Sequence, residues 1–182
     1  MAAAAANDKP KLKKVALVAP WLHTPEMATA IYGGPETASK LLAASDEAAT
    51  KADHEDPPLL VCGSTTDDKA IMFQAPYYSE NNRGLIQAYD NKFNILSWKP
   101  WLTYNALESA DRLDKPMLLV GSDGIALPDG VKAYEQRLAQ KNKSAILEKV
   151  WLDKSITQFD FCDNVAAVKA SADAVAAFFQ KE

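Results

Sequence analysis

The sequence predicts a three-layer α/β fold, a parallel sheet with helices on both faces, and three observations carry that prediction. Residues 15–19 (VALVA) and 117–120 (MLLV) are continuous apolar runs closed by Pro20 and Gly121, the pattern of strands covered on both sides. Residues 145–152 read as a third strand after a polar loop. Helical spacing fills the gaps: Val131, Tyr134 and Leu138 predict a helix opening at Pro128 or Asp129, and Val165, Val168, Ala172, Val175, Phe178 and Phe179 predict a closing helix after Asn164. Strand, helix, strand, helix is the order of a parallel sheet with right-handed crossovers.

Composition narrows the function classes. With 182 residues, 48% of them hydrophobic, the chain has the material for one core. Its 20 Lys and Arg against 24 Asp and Glu are interspersed and leave a net charge of −4, so no basic footprint for nucleic acid is expected. No apolar run reaches the length a bilayer demands, and residues 1–6 lack the basic start and long apolar middle of a secretion signal; a cytoplasmic protein with no membrane partner is expected. Cys62 and Cys162 have no CxxC spacing and read as separate reduced thiols, buried as small apolar side chains. No Gly-rich phosphate loop is present, which argues against a flavodoxin-like domain, and neither a cofactor nor a metal site is expected.

Between Pro20 and Pro116 lies a long insertion that needs structure of its own. A helix is expected over residues 35–51, where Leu41 and Leu42 sit among alanines, ended by the turn-rich residues 53–58 (DHEDPP). Trp98-Lys-Pro-Trp101 is expected to lead into a helix carrying Leu102, Ala106, Leu107 and Ala110. With no repeat and no low-complexity linker, residues 1–182 are read as one domain whose cap insertion covers about 33–112.

The segments VALVAPW (15–21), YGG (32–34), YDN (89–91), SWKPWL (97–102), KPMLLVGSDGIALPD (115–129) and TQFDFCD (157–163) resemble, in this order, dienelactone-hydrolase-like α/β-hydrolases. The resemblance implies a partial hydrolase sheet. The segments match that fold's sixth, seventh and eighth strands, residues 1–8 match the tail of its nucleophile helix, and the half bearing the nucleophile elbow is missing. No G-x-S-x-G occurs, since Ser64 and Ser122 both lack the flanking glycines that the strained elbow requires.

The resemblance further implies a triad acid after the seventh strand, carried over to Asp123 with Asp129 as second choice. A turn role for Asp123 and a helix N-cap role for Asp129 are the alternatives. The base position falls on Gln158, an amide that cannot remove a proton from serine near neutral pH. His23, at the carboxyl end of the first strand where open α/β sheets bind ligands, is a candidate pocket residue together with Trp21. Trp98 and Trp101 are candidates for the floor of an apolar pocket, or else for core packing. His54 sits in an acidic cluster that reads as a solvated loop and not a metal site.

The expected function is that of the C-terminal part of an ester or amide hydrolase, truncated and not catalytic as this chain alone. A small apolar ester-like ligand fits that reading. The alternative is a non-catalytic ligand-binding or protein-interaction module on the hydrolase fold. Either way the first strand would leave a bare sheet edge, so self-association or a partner covering it is expected.

Overall fold

In chain order the computed structural model, which describes residues 2–141 and 146–181, opens with helix α1 (Ala2–Asn7), strand β1 (Val15–Val18) and helices α2 (Pro25–Ile31) and α3 (Gly34–Lys51). Short strands β2 (Leu59–Val61), β3 (Gly63–Ser64) and β4 (Met72–Phe73), helix α4 (Pro76–Ser79), strand β5 (Lys92–Asn94) and helix α5 (Trp98–Thr103) follow. Strand β6 (Met117–Gly121), helix α6 (Pro128–Lys141), strand β7 (Leu147–Trp151) and helices α7 (Asp160–Asp163) and α8 (Val165–Gln180) complete the chain, with 3₁₀ segments at Ile95–Ser97 and Ala106–Arg112. Contacts divide these elements into two units, Met1–Thr24 with Asn105–Glu182, and Pro25–Tyr104.

The first unit holds the parallel sheet, ordered β1-β6-β7. Val15 pairs with Met117 and Val18 with Val120, while Met117 pairs with Leu147 and Gly121 with Trp151. Strand β6 is central and buried along its whole length, which is why its sequence shows no alternation of polar and apolar residues. Leu118 and Val120 face α8, where Phe178 packs on them with Ala16, Val150 and Val175 around it. Met117 and Leu119 project to the opposite face and are just as buried. The segment Ala106–Arg112 packs against both α1 and α6, and Tyr134 of α6 is fully buried with its hydroxyl 3.2 Å from Ser109 Oγ.

Strand β1 ends the sheet on one side. Its amides at Val15 and Ala19 donate to Pro116 O (3.0 Å) and Val120 O (2.8 Å). In a parallel ladder the intervening residues then turn their N–H and C=O the other way. The backbone groups of Ala16 and Val18 therefore point to a side along which no strand pairs among the described residues. Leu59–Val61 pairs antiparallel with Lys92–Asn94 inside the second unit.

The second unit is built around α3. Its Ala38 meets Ala28 of α2 and Trp98 and Leu102 of α5, with Tyr32, Leu41, Leu42, Phe93, Ile95 and Trp101 packed on this cluster. Asn91, at φ 53°, holds Gly63 from both sides, accepting from its N–H (2.7 Å) and donating to its carbonyl (2.8 Å). That single side chain ties the start of β3 to the loop before β5.

Three local expectations are corrected. The helix expected to run from Trp98 past Ala110 breaks after Thr103, because Asn105 is extended and its side chain accepts from Leu107 N–H (3.1 Å), capping a separate 3₁₀ segment. Asp129 is not an N-cap; Pro128 takes the first helical position and leaves Asp129 inside the first turn. Cys62 is half-buried with its thiol hydrogen-bonded to the Tyr89 side chain, and Cys162 is exposed. The third strand runs over Leu147–Trp151; Ala145 lies outside the described residues.

Candidate functional site

The carboxyl ends of β1, β6 and β7 open into three loops, residues 19–24, 122–127 and 152–159, all within the first unit. Polar bonds lock these loops together. Ser122 Oγ donates to Ile156 O at 2.5 Å and accepts from Gly124 N–H at 3.2 Å. Gly124 forms an isolated parallel bridge with Thr157, and a Cβ on it would stand 2.4 Å from both Lys154 O and Ile156 O, so only glycine admits this approach. Gln158 closes the arrangement: its Nε2 donates to Ala19 O (3.0 Å) and its Oε1 accepts from Ala126 N–H (3.1 Å). One amide thus joins the ends of all three strands. Ala19 offers its carbonyl from a left-handed backbone, φ 42°, that costs a non-glycine residue strain.

His23 is buried, 2% exposed, and its Nδ1 accepts the indole N–H of half-buried Trp21 at 3.0 Å. An indole nitrogen can only donate, so the neutral imidazole carries its proton on Nε2. That tautomer is the reverse of the one a triad base needs, in which Nδ1–H is held by a carboxylate and Nε2 is free to accept. Asp123 is half-exposed and lies 2.6 Å from Lys132 Nζ. Lys132, with the Trp151 side chain as a second partner, holds the Asp123 carboxyl below the usual carboxylate range. Ser122 is fully buried, and the Ser64 hydroxyl accepts from Thr66 and Asp67 N–H (3.1 and 2.9 Å). No serine hydroxyl among the described residues hydrogen-bonds an imidazole.

Trp98 and Trp101 lie in the second unit. Trp98 is 2% exposed, with the rings of Tyr32 and Phe93 at 4.9 and 4.8 Å, and Trp101 packs half-buried on the same cluster. His54 is exposed. No group of His, Cys, Asp and Glu among the described residues is arranged to hold a metal ion, and no helix among them is long and apolar enough to cross a membrane.

No protein-family model matches the chain, and no curated protein matches it in sequence. Solved structures do match in shape. The monoacylglycerol lipase of Paleococcus ferrophilus superposes with a TM-score of 0.52 at 16% identity, over 94% of this chain and 60% of the lipase. The thioesterase domain from the curacin biosynthetic pathway gives 0.48 at 16% identity, over 96% and 62%. The chain has an α/β-hydrolase fold. At this identity the likeness carries the fold and not the chemistry, and the chain spans about 60% of the lipase's length.

Within the hydrolase fold, the residues carried over by resemblance stand in the loops at the carboxyl edge, each engaged in a local bond. The partners Lys132 for Asp123 and Ala19 with Ala126 for Gln158 were not foreseen from the sequence. Lys132 is the fifth residue of α6, and no spacing rule connects it to Asp123. A pH test follows from that ion pair. A carboxyl whose folded-state pKa is depressed contributes stability that is present above its unfolded value, about 3.9, and is lost as pH falls through the folded-state value. Lys132→Met is therefore expected to show a lower urea midpoint than the native chain above about pH 4, with the two converging at lower pH. A gap that stays constant through the acid range would contradict the pairing.

Proposed function

We propose that this chain is a dienelactone-hydrolase-like protein equivalent to the C-terminal part of that fold, and that it does not cleave esters or amides by itself. The observation that carries this reading is the bonding of Gln158. At the position where resemblance places the general base stands an amide with both its oxygen and its nitrogen spent on backbone groups. A side chain so placed neither accepts a proton from a nucleophile nor moves without releasing three loops. The tautomer of His23 and the lysine bound to Asp123 support the same conclusion. In this reading a serine and an imidazole come from residues outside this sequence, upstream of it or on another polypeptide, and Trp21 and His23 stand beside a small apolar ester-like ligand. The purified chain is expected neither to hydrolyse a chromogenic short-chain ester above buffer nor to take a covalent label from a serine-reactive phosphonate. A labelled serine in this chain alone would overturn the proposal.

A second reading, an interaction module, is favoured by the open side of β1. The outward N–H and C=O groups of Ala16 and Val18 are a template for a strand from a second copy or a different protein. Ala16→Pro removes one outward donor without touching a bond to β6. Association through this edge is expected to be lost in that variant, as read by sedimentation; association unchanged by the proline would reject the edge as the docking site.

A further inference from the structure

The chain holds two Asp-Gly pairs, Asp123-Gly124 and Asp129-Gly130. Such a pair is prone to rearrange, because glycine has no side chain to shield its backbone nitrogen. That nitrogen attacks the aspartate Cγ: a C–N bond forms, a carboxyl C–O bond breaks, and the hydroxyl leaves as water with the amide proton. Water then reopens the five-membered imide at either carbonyl. Opening at the original main-chain carbonyl gives isoaspartate, whose main chain runs through Cγ and is one carbon longer, with mass and redox state unchanged. The reaction needs a neutral carboxyl, a glycine N–H free of other partners, and a backbone able to turn the nitrogen onto Cγ.

At Asp123-Gly124 the fold opposes all three. Lys132 Nζ, 2.6 Å from the Asp123 carboxylate, keeps it charged. Gly124 N–H is spent on Ser122 Oγ (3.2 Å), which is fully buried and gives its own proton to Ile156 O (2.5 Å). Rotation is barred because Gly124 bridges to Thr157 against the carbonyls of Lys154 and Ile156, which a Cβ would meet at 2.4 Å. The Asp123 side chain is nevertheless half-exposed, so water reaches it as soon as the loop lets go. Asp129-Gly130 is held differently. Asp129 is exposed and 4.0 Å from Lys132, but both residues lie in α6, whose helical ψ keeps the following nitrogen away from Cγ. We propose that Asp123-Gly124 is a site of spontaneous isoaspartate formation, held closed by the Lys132 ion pair and the Ser122 hydrogen bond and opened whenever residues 122–127 detach. The longer main chain then no longer fits against the Lys154 and Ile156 carbonyls, so the rearranged loop does not regain its bonds. None of this depends on the reading of the triad.

Prolonged incubation of the full chain at mildly acidic pH, followed by peptide mapping with electron-transfer fragmentation, reads isoaspartate at each pair. In the folded chain Asp123 is expected to rearrange at least about tenfold more slowly than the same bond in the urea-unfolded chain, the protection that a bonded loop gives until it opens. That comparison needs no variant. Lys132→Met is expected to raise the rate at Asp123 about two- to fivefold, the factor that an exposed ion pair supports. Arg137→Met, which removes the Asp111 ion pair from the same helix, is expected to leave the rate at Asp123 unchanged. Far-UV circular dichroism reports that both variants remain folded. Equal rates in the folded and unfolded chain, no rise in Lys132→Met, or an equal rise in Arg137→Met would each overturn the proposal; the last would mean that any loss of stability frees the loop.

Discussion

Gly130→Ala is expected to destabilise the first unit by about 2–3 kcal/mol, although the same change in an exposed helix interior gains about 1 kcal/mol. The sign reverses because of what lies beside α6. A Cβ on Gly130 would stand 1.9 Å from Leu22 O and 3.0 Å from Leu22 C. That contact is with backbone, which cannot rotate aside, so α6 or the loop after β1 must move. Leu22 is 5% exposed and lies between Trp21 and His23, so the shift passes directly to their hydrogen bond. Urea unfolding followed by tryptophan fluorescence reads both effects: an earlier midpoint, and a changed emission of the folded state as Trp21 leaves its imidazole partner. A stabilised Gly130→Ala chain would mean that α6 does not approach Leu22 so closely. The glycine allows the helix to abut the segment that carries His23.

Trp98→Ala is expected to cost about 3–5 kcal/mol, the range for deleting a buried tryptophan side chain. The ring is 2% exposed and surrounded by Ala28, Ala38, Leu102, Tyr32 and Phe93, small neighbours and rings that cannot collapse into the space it leaves. Trp98→Phe sharpens the test. The indole N–H is buried with no hydrogen-bond partner among the described residues, so phenylalanine removes an unsatisfied donor while keeping most of the ring. Its cost is expected to be no more than about 1 kcal/mol. If Trp98 served instead to floor a ligand pocket, both variants would unfold near the native midpoint.

The sheet was legible in the sequence where burial erases alternation. Strand β6 is covered on both faces and reads as an unbroken apolar run; β1 and β7 follow from their order with the helical stripes of α6 and α8. The interior of Pro25–Tyr104 was not legible. Strands of two or three residues such as β3, β4 and β5 carry no measurable period, and their pairing rests on single side chains, Asn91 holding Gly63 above all. The break at Asn105 was hidden because the apolar spacing continues across it while the cap acts through one carboxamide.

For the candidate site, residue types and their place at the carboxyl edge were readable, and partners were not. Nothing near Gln158 in sequence indicates Ala19, 139 positions away. A glutamine and a histidine at that position look like alternatives on the page, yet in space they answer to different neighbours.

The bond from Gln158 to Ala19 and Ala126 constrains how this chain can change over time. A single exchange to histidine would free a buried carbonyl and a backbone amide before any proton relay existed to compensate. On the proposed reading, a proton relay at this position would demand prior rebuilding of the turns at Ala19 and Ala126.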